Sequence, residues 1–180
     1  MQHTQPFVRA VSVICLLLVR HVILRNWLVI SAIVVALDLY SKHLIQGMFA
    51  YGDHLTVNSF FDLVRYHNTG AAFSFLADAG GWQKLFFSVV SSIAITVIIY
   101  LLNKHAKQKL FCIGLALVLG GAIGNLYDRL TLGYVVDFLY FHYENFYWPA
   151  FNVADSAICI GVALLFLDGY IKPQNVDSTS

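Results

Sequence analysis

The chain has 180 residues, of which 59% are hydrophobic and only 12% charged, with a formal net charge of +1. A water-soluble domain carries about 25% charged residues, so the composition excludes one and points to a membrane protein. The near-neutral charge speaks against a nucleic-acid partner. Three scattered cysteines, Cys15, Cys112 and Cys159, make neither a disulfide framework nor a zinc site and read as small buried hydrophobes.

Residues 1–26 come first and follow no simple pattern. The run VSVICLLLV, between Arg9 and Arg20, is too short to cross a bilayer. It mimics the apolar part of a signal peptide, but the basic, bulky VRHVILRN follows it in place of a small-residue cleavage site. A basic interfacial segment and an upstream extension both remain open.

Four later segments are long and apolar enough to span: roughly 27–46, 84–103, 109–127 and 153–171. In the first, Asp38 and Lys42 stand four residues apart on one helix face, the spacing of an ion pair. The connection that follows contains HLTVNSFFDLVRYHN, whose Thr, Val, Phe and Tyr content suits short strands. In the second span Ser88, Ser91 and Ser92 have no basic partner, so packing or bonding to the carbonyl four residues back is expected.

The third span reads ALVLGGAIGNLYDRL. Ala116, Gly120 and Gly124 recur every four residues and make a small-residue stripe that admits another helix closely. Asn125, Asp128 and Arg129 close the span within about one turn, with Asn125 and Arg129 on one face and Asp128 readable as an interfacial anchor. The next connection, YVVDFLYFHYENFYWPAF, is dense in the aromatic residues that collect at lipid headgroups. Together with residues 54–68 it suggests a small β element lying on the membrane surface. Gly133 offers a turn before Asp137, and the poor alternation around Asp137 argues against a strand that points it to solvent. The fourth span opens with FNVADS, where Asn152 at the N-cap and Asp155 at N3 make a capping pair.

Lys and Arg set the expected orientation. Arg9, Arg20 and Arg25 precede span 1, Lys104, Lys107 and Lys109 crowd the connection between spans 2 and 3, and Lys172 follows span 4. The long connections hold only Arg65, Lys84 and Arg129, so both termini are expected in the cytoplasm and both long connections outside.

Asp137 and Asp155 would then lie at one membrane depth. Two carboxylates brought close share a proton; one activates water while the other polarises a carbonyl. No HExxH, GxSxG, phosphate-binding loop or Cys/His cluster offers a competing chemistry, and no metal or cofactor is expected. The rival from another class is a proton or ion carrier using Asp38, Asp137 and Asp155 as a relay. A binding scaffold without catalysis would be expected to have lost one aspartate.

Five motifs, in order, resemble bacterial lipoprotein signal peptidase (signal peptidase II): LDLYSK, HNTGAAFSF, GNLYDR, VVDF and FNVADS. The resemblance covers most of residues 27–172, with no departure at a functional position. It implies four transmembrane helices with a small β-sheet on the outer membrane surface of a bacterial inner membrane. It also implies an aspartic endopeptidase that removes signal peptides from diacylglyceryl-modified prolipoproteins, cutting before the lipidated Cys. On that resemblance Asp137 and Asp155 are the catalytic pair, and Asn68, Gly70, Asn125, Arg129 and Asn152 contact or support the substrate. Asp38, Lys42 and Asp128 are supporting residues. The expected organisation is an extension at 1–26, the peptidase at 27–172 and a tail at 173–180, working as a monomer on lipidated precursors among membrane lipids.

Overall fold

The computed structural model describes residues 5–70 and 82–171, and the side chains among these from residue 26 onward. The second half of the HNTGAAFSF motif, the tail and Cys15's side chain lie outside the described residues. The elements in order are α1 (Gln5–Met48), β1 (His54–Asn58), β2 (Phe61–Asn68), α2 (Gln83–Lys104), α3 (Lys109–Thr131), β3 (Val135–Tyr143), β4 (Phe146–Tyr147) and α4 (Val153–Ile171).

Among the described residues four stretches are long and apolar enough to cross a membrane: Asn26–Met48, Gln83–Lys104, Lys109–Thr131 and Val153–Ile171. They match the expected spans to within a few residues. The first is the distal part of one uninterrupted helix that begins at Gln5. Nothing from Phe7 to Gln46 is Gly or Pro, so the chain offers the helix no place to break.

Helix α3 is the centre of the bundle and packs against α1, α2 and α4. Its glycines make this possible on two faces. A Cβ on Gly120 would lie 2.6 Å from Val34 Cβ, and one on Gly124 would fall onto the Asp38 carboxylate, so the expected stripe faces α1. The other face was not read from the sequence: Gly114 and Gly121 admit α4, whose Gly161 lies against the Gly114 carbonyl. Ser31 Oγ adds a bond to Ala116 O at 2.8 Å, and Trp27 Nε1 donates to Ala106 O at 3.0 Å at the far end of the bundle. Ile98, Leu102, Cys112, Leu115 and Leu119 fill the space between α2 and α3.

The outward faces are apolar. Leu85 and Ile93 of α2 and Phe166 of α4 are largely exposed, a surface that suits acyl chains and would drive aggregation in water. Cys159 lies on this exposed side of α4, which corrects the expectation of burial; a thiol is apolar enough to face lipid. Cys112 is buried as expected, and neither is in a disulfide. Ser88 Oγ and Ser92 Oγ donate to the carbonyls of Lys84 and Ser88, the back-bonding expected of span 2.

The four strands form one antiparallel sheet in the order β1-β2-β3-β4, at the end of the bundle where α1 and α3 stop and α4 begins. Val136 and Phe138 pack with Ile45 of α1. Arg65 of β2 donates to Phe49 O at 2.7 Å and Gln46 O at 3.3 Å, satisfying carbonyls at the α1 C-terminus. Gly133, at φ +88°, makes the turn from α3 into β3. Asp137 lies in a strand, β3, but not one that points it to solvent, as the poor alternation led one to expect. Its side chain is buried, so the strand carries no solvent-facing acid there.

Candidate active site

Asn68, Asn125, Arg129, Asp137, Asn152 and Asp155, with Asp38, Lys42 and Asp128 behind them, all arrive at this one end of the bundle. Asn152 caps α4: its Oδ1 accepts from Asp155 N–H at 2.9 Å, and Asp155 Oδ2 accepts from Asn152 N–H at 3.3 Å. That is the expected reciprocal cap, and it points both side chains toward α3 and β3. Asp137 reaches the same place from β3. Its Oδ1 accepts from Asn152 Nδ2 at 2.7 Å and its Oδ2 from Asn68 Nδ2 at 2.9 Å. Asn125 of α3 completes the group, donating through Nδ2 to Asp155 Oδ1 at 2.8 Å.

Three asparagines therefore aim N–H groups at two carboxylates. Their amide orientations follow from groups that can only donate. Gly70 N–H holds Asn68 Oδ1 at 2.9 Å, and Asp155 N–H holds Asn152 Oδ1. Both amides must then turn their NH2 groups to Asp137. Asp137 is 3% exposed, whereas Asp155 is only partly buried. Burial first, and then the charge of Asp155, push the Asp137 carboxyl up to about 7, against the Asn68 and Asn152 bonds and the Lys42 charge.

Behind the pair lies a buried ion cluster. Lys42 Nζ stands 2.7 Å from Asp38 Oδ2, 2.9 Å from Asn125 Oδ1 and 3.1 Å from Asp128 Oδ2. The expected Asp38–Lys42 pair is present and is enlarged by Asp128, which also accepts the Val136 N–H of β3 at 3.1 Å. Asp128 is thus more than an interfacial anchor, since it ties α3 to α1 and to the strand bearing Asp137. Among the described residues no group of three or more His, Cys, Asp or Glu is placed to hold a metal ion.

Arg129 is buried beside the pair. Its Nη2 donates to Gly70 O at 3.0 Å and its Nη1 to Asn125 O at 3.4 Å, while Nε has no hydrogen-bond partner among the described residues. The guanidinium lies 5.5 Å from the ring centre of Phe87 on α2. Phe87 and Tyr66 are site neighbours that sequence reasoning missed. Tyr66 sits directly across β2–β3 from Asp137, a register displaced by the bulge between Leu63 and Tyr66. No local sequence signal announces either contact.

Four apolar helices, a small sheet and two carboxylates bridged by Asn152 at their junction make up a candidate site at one end of a membrane-spanning bundle. A model of the signal peptidase (SPase) II family matches residues 30–171. The chain is 53% identical over 145 residues to a lipoprotein signal peptidase of Paraburkholderia phytofirmans, covering 81% of this chain and 84% of that protein. It is 55% identical over 142 residues to one of a Janthinobacterium species, covering 79% and 86%. A solved structure described as a bacterial membrane enzyme superposes with a TM-score of 0.75 at 29% identity, covering 86% of this chain and 93% of that one. The chain belongs to the signal peptidase II family. It is a multi-pass peptidase of the bacterial inner membrane, of the aspartic type in this family.

Proposed function

We propose that the chain cleaves the signal peptide from diacylglyceryl-modified prolipoproteins, just before the lipidated Cys, using Asp137 and Asp155 as its catalytic pair. The observation that carries this reading is the Asn152 bridge, which donates to Asp137 through its amide and to Asp155 through its backbone. Asp137 holds the shared proton, in keeping with its deep burial. Asp155, in the first turn of α4 where the helix dipole favours an anion, is the ionised partner.

A water between the carboxylates gives a proton to Asp155 as its oxygen attacks the scissile carbonyl carbon. Asp137 delivers its proton to the carbonyl oxygen, giving a neutral tetrahedral diol. Asp155 then protonates the leaving nitrogen as the C–N bond breaks, and Asp137 recovers its proton from the re-forming carbonyl. The signal peptide leaves with a new carboxyl end, and the lipidated Cys becomes the new amino terminus. Arg129 Nε, unpartnered within the described residues, and the Asn68, Gly70, Asn125 and Asn152 group hold the substrate backbone against the pair.

Both termini lie in the cytoplasm and the site faces the outer side, in keeping with the Lys and Arg distribution. The working unit is a monomer of residues 27–172, since every group invoked comes from one chain. The carrier alternative is disfavoured by where the buried acids lie. Asp38, Asp128, Asp137 and Asp155 cluster at one end, and Asp168 of α4 is about 20 Å along the helix from Asp155. The direct test is incubation of purified protein with a lipidated precursor. Release of the signal peptide is expected, and an intact precursor would reject the reading.

A further inference from the structure

A side-chain amide has an oxygen and an NH2 of nearly the same size, so only its neighbours decide which way it points. For Asn125 the deciding neighbour is Lys42. An ammonium has three protons and no acceptor, and the three oxygens nearest Lys42 Nζ belong to Asp38, Asn125 and Asp128. The 2.9 Å contact to Asn125 therefore fixes Oδ1 on that side and turns Nδ2 to Asp155 Oδ1, 2.8 Å away. Asn152 Nδ2 also approaches Asn125 Oδ1, but at 3.3 Å, and makes its shortest bond to Asp137.

We infer that Lys42 is a positioning residue: by holding the oxygen of Asn125 it keeps the Asn125 amide donor, and not its carbonyl oxygen, against the carboxylate of Asp155. The inference deepens the proposed function and rests on Asp155 acting as the base. With Asn125 reversed, an oxygen would face Asp155, and only the protonated acid could satisfy it. That form cannot take a proton from water. Asp38 and Asp128 have the matching task of holding Lys42, and each is itself fixed by a backbone N–H, from Ala154 and Val136.

The groups that face Asp155 are Asp137 from β3, Arg129 from α3 and Lys42 from α1. The charge of Lys42 favours ionised Asp155 whichever way Asn125 points, so the test must separate charge from orientation. Lys42→Met and Lys42→Gln do so. Both are neutral and unbranched, but only Gln presents an N–H to Asn125. Each is made together with Asp38→Asn, which keeps the local charge balanced and avoids leaving two buried carboxylates without a cation.

Cleavage of lipidated precursor is followed from acid to alkaline pH, and melting in detergent is measured for each variant. Removing a preorganised donor typically costs about 10²-fold in kcat. The Met variant is expected to lose about that much with KM unchanged, and its acid limb to move to higher pH. The Gln variant is expected to recover roughly tenfold or more and to move the limb back. Equal kcat and equal pH profiles in equally stable Met and Gln variants would overturn the inference, as would a kcat difference that merely tracks melting. If only the Gln variant folds, a kcat more than about 10²-fold below the Asp38→Asn parent overturns it and a smaller loss supports it. Asp155→Asn is assayed alongside. If that variant still cleaves, the catalytic pair itself is wrong, a result distinct from any failure of the Lys42 arm.

Discussion

Asp38 of α1 accepts a hydrogen bond from the backbone N–H of Ala154 at 2.9 Å, although the two residues are 116 positions apart. A carboxylate from the first span thereby joins the cap of the last one, one residue before Asp155. The same carboxylate grips Lys42 at 2.7 Å. The bundle thus registers α4 through a buried charged contact that acyl chains, having no polar groups, cannot replace.

The pair predicts a strict outcome for its own removal. Asp137→Asn and Asp155→Asn should each lower cleavage by roughly 10³-fold or more, and the double variant should be little worse than either, because the two act as a unit. Each should remain in the membrane, since an amide fits where the acid stood. Accumulation of uncleaved precursor in cells that depend on the variant measures this. Normal processing by either one would remove the pair from the mechanism.

Acidity gives a second expectation. The Asp137 carboxyl is pushed up to about 7, mainly by burial, so cleavage that needs its proton should fall as pH rises through about 7. Stability carries the same sign. An acid raised from its ordinary 3.8 contributes fully below that value, and the contribution is lost as pH climbs to about 7. The Asp137→Asn chain has no such loss, so its melting temperature relative to the parent should rise between pH 5 and pH 8. A difference in melting that stays flat over that range would show that Asp137 ionises as freely folded as unfolded.

Close helix packing around α3 supplies a third. A Cβ on Gly121 would fall onto the Ala154 carbonyl, and one on Gly124 onto Asp38, so Ala at either position should displace the α4 cap. Overpacking of this kind costs about 1–3 kcal/mol, and activity should drop with it. Gly47→Ala, where the new methyl meets nothing within 4 Å, is the control. Melting of the three variants in detergent decides; equal melting would mean that the bundle gives way easily at these contacts.

Much of this architecture was legible in the sequence, and the reasons are physical. Spans announce themselves because a bilayer demands about 20 apolar residues at a stretch. The cap at Asn152 and Asp155 and the pair at Asp38 and Lys42 are local patterns of three and four residues. What stayed hidden is what depends on placing distant segments together. Gly114 and Gly121 look like any other glycines until α4 is laid against them. Tyr66 opposes Asp137 only because a bulge shifts the β2–β3 register, and nothing in the composition of either strand reveals the shift. Asp128 looked like an ordinary helix end because its partners, Lys42 and Val136 N–H, lie on other elements.

The N-terminal part of α1 yields a fourth expectation. Among the described residues every polar group of the site lies at Asp38 or beyond, and the Trp27 bond to Ala106 anchors the span from within its own boundary. Deleting residues 1–25 should therefore leave cleavage by inserted protein unchanged. Precursor processing and membrane fractionation together measure it. Full insertion with lost activity would bring the extension into the working unit, whereas lost insertion would assign Arg9, Arg20 and Arg25 the task of setting topology.

The last expectation concerns the lipid on the substrate. The carboxylates lie where α3 ends and α4 begins, beside a sheet rich in exposed aromatic residues such as Phe146, Tyr147 and Trp148. Moving an acyl chain out of water is worth about 0.8 kcal/mol per CH2. A lipidated precursor already resides in the bilayer, so most of that energy is not gained on reaching the enzyme. The lipid should act by position: it fixes the depth of the scissile bond against Asp137 and Asp155, and a misplacement of about 1 Å can cost 10²-fold in rate. An unlipidated precursor of the same peptide sequence should be cut at least about 10²-fold more slowly, even when present in excess. Gel-shift comparison of the two precursors with purified enzyme in detergent measures the ratio. Equal rates would reject positioning by lipid and leave a site that reads peptide sequence alone.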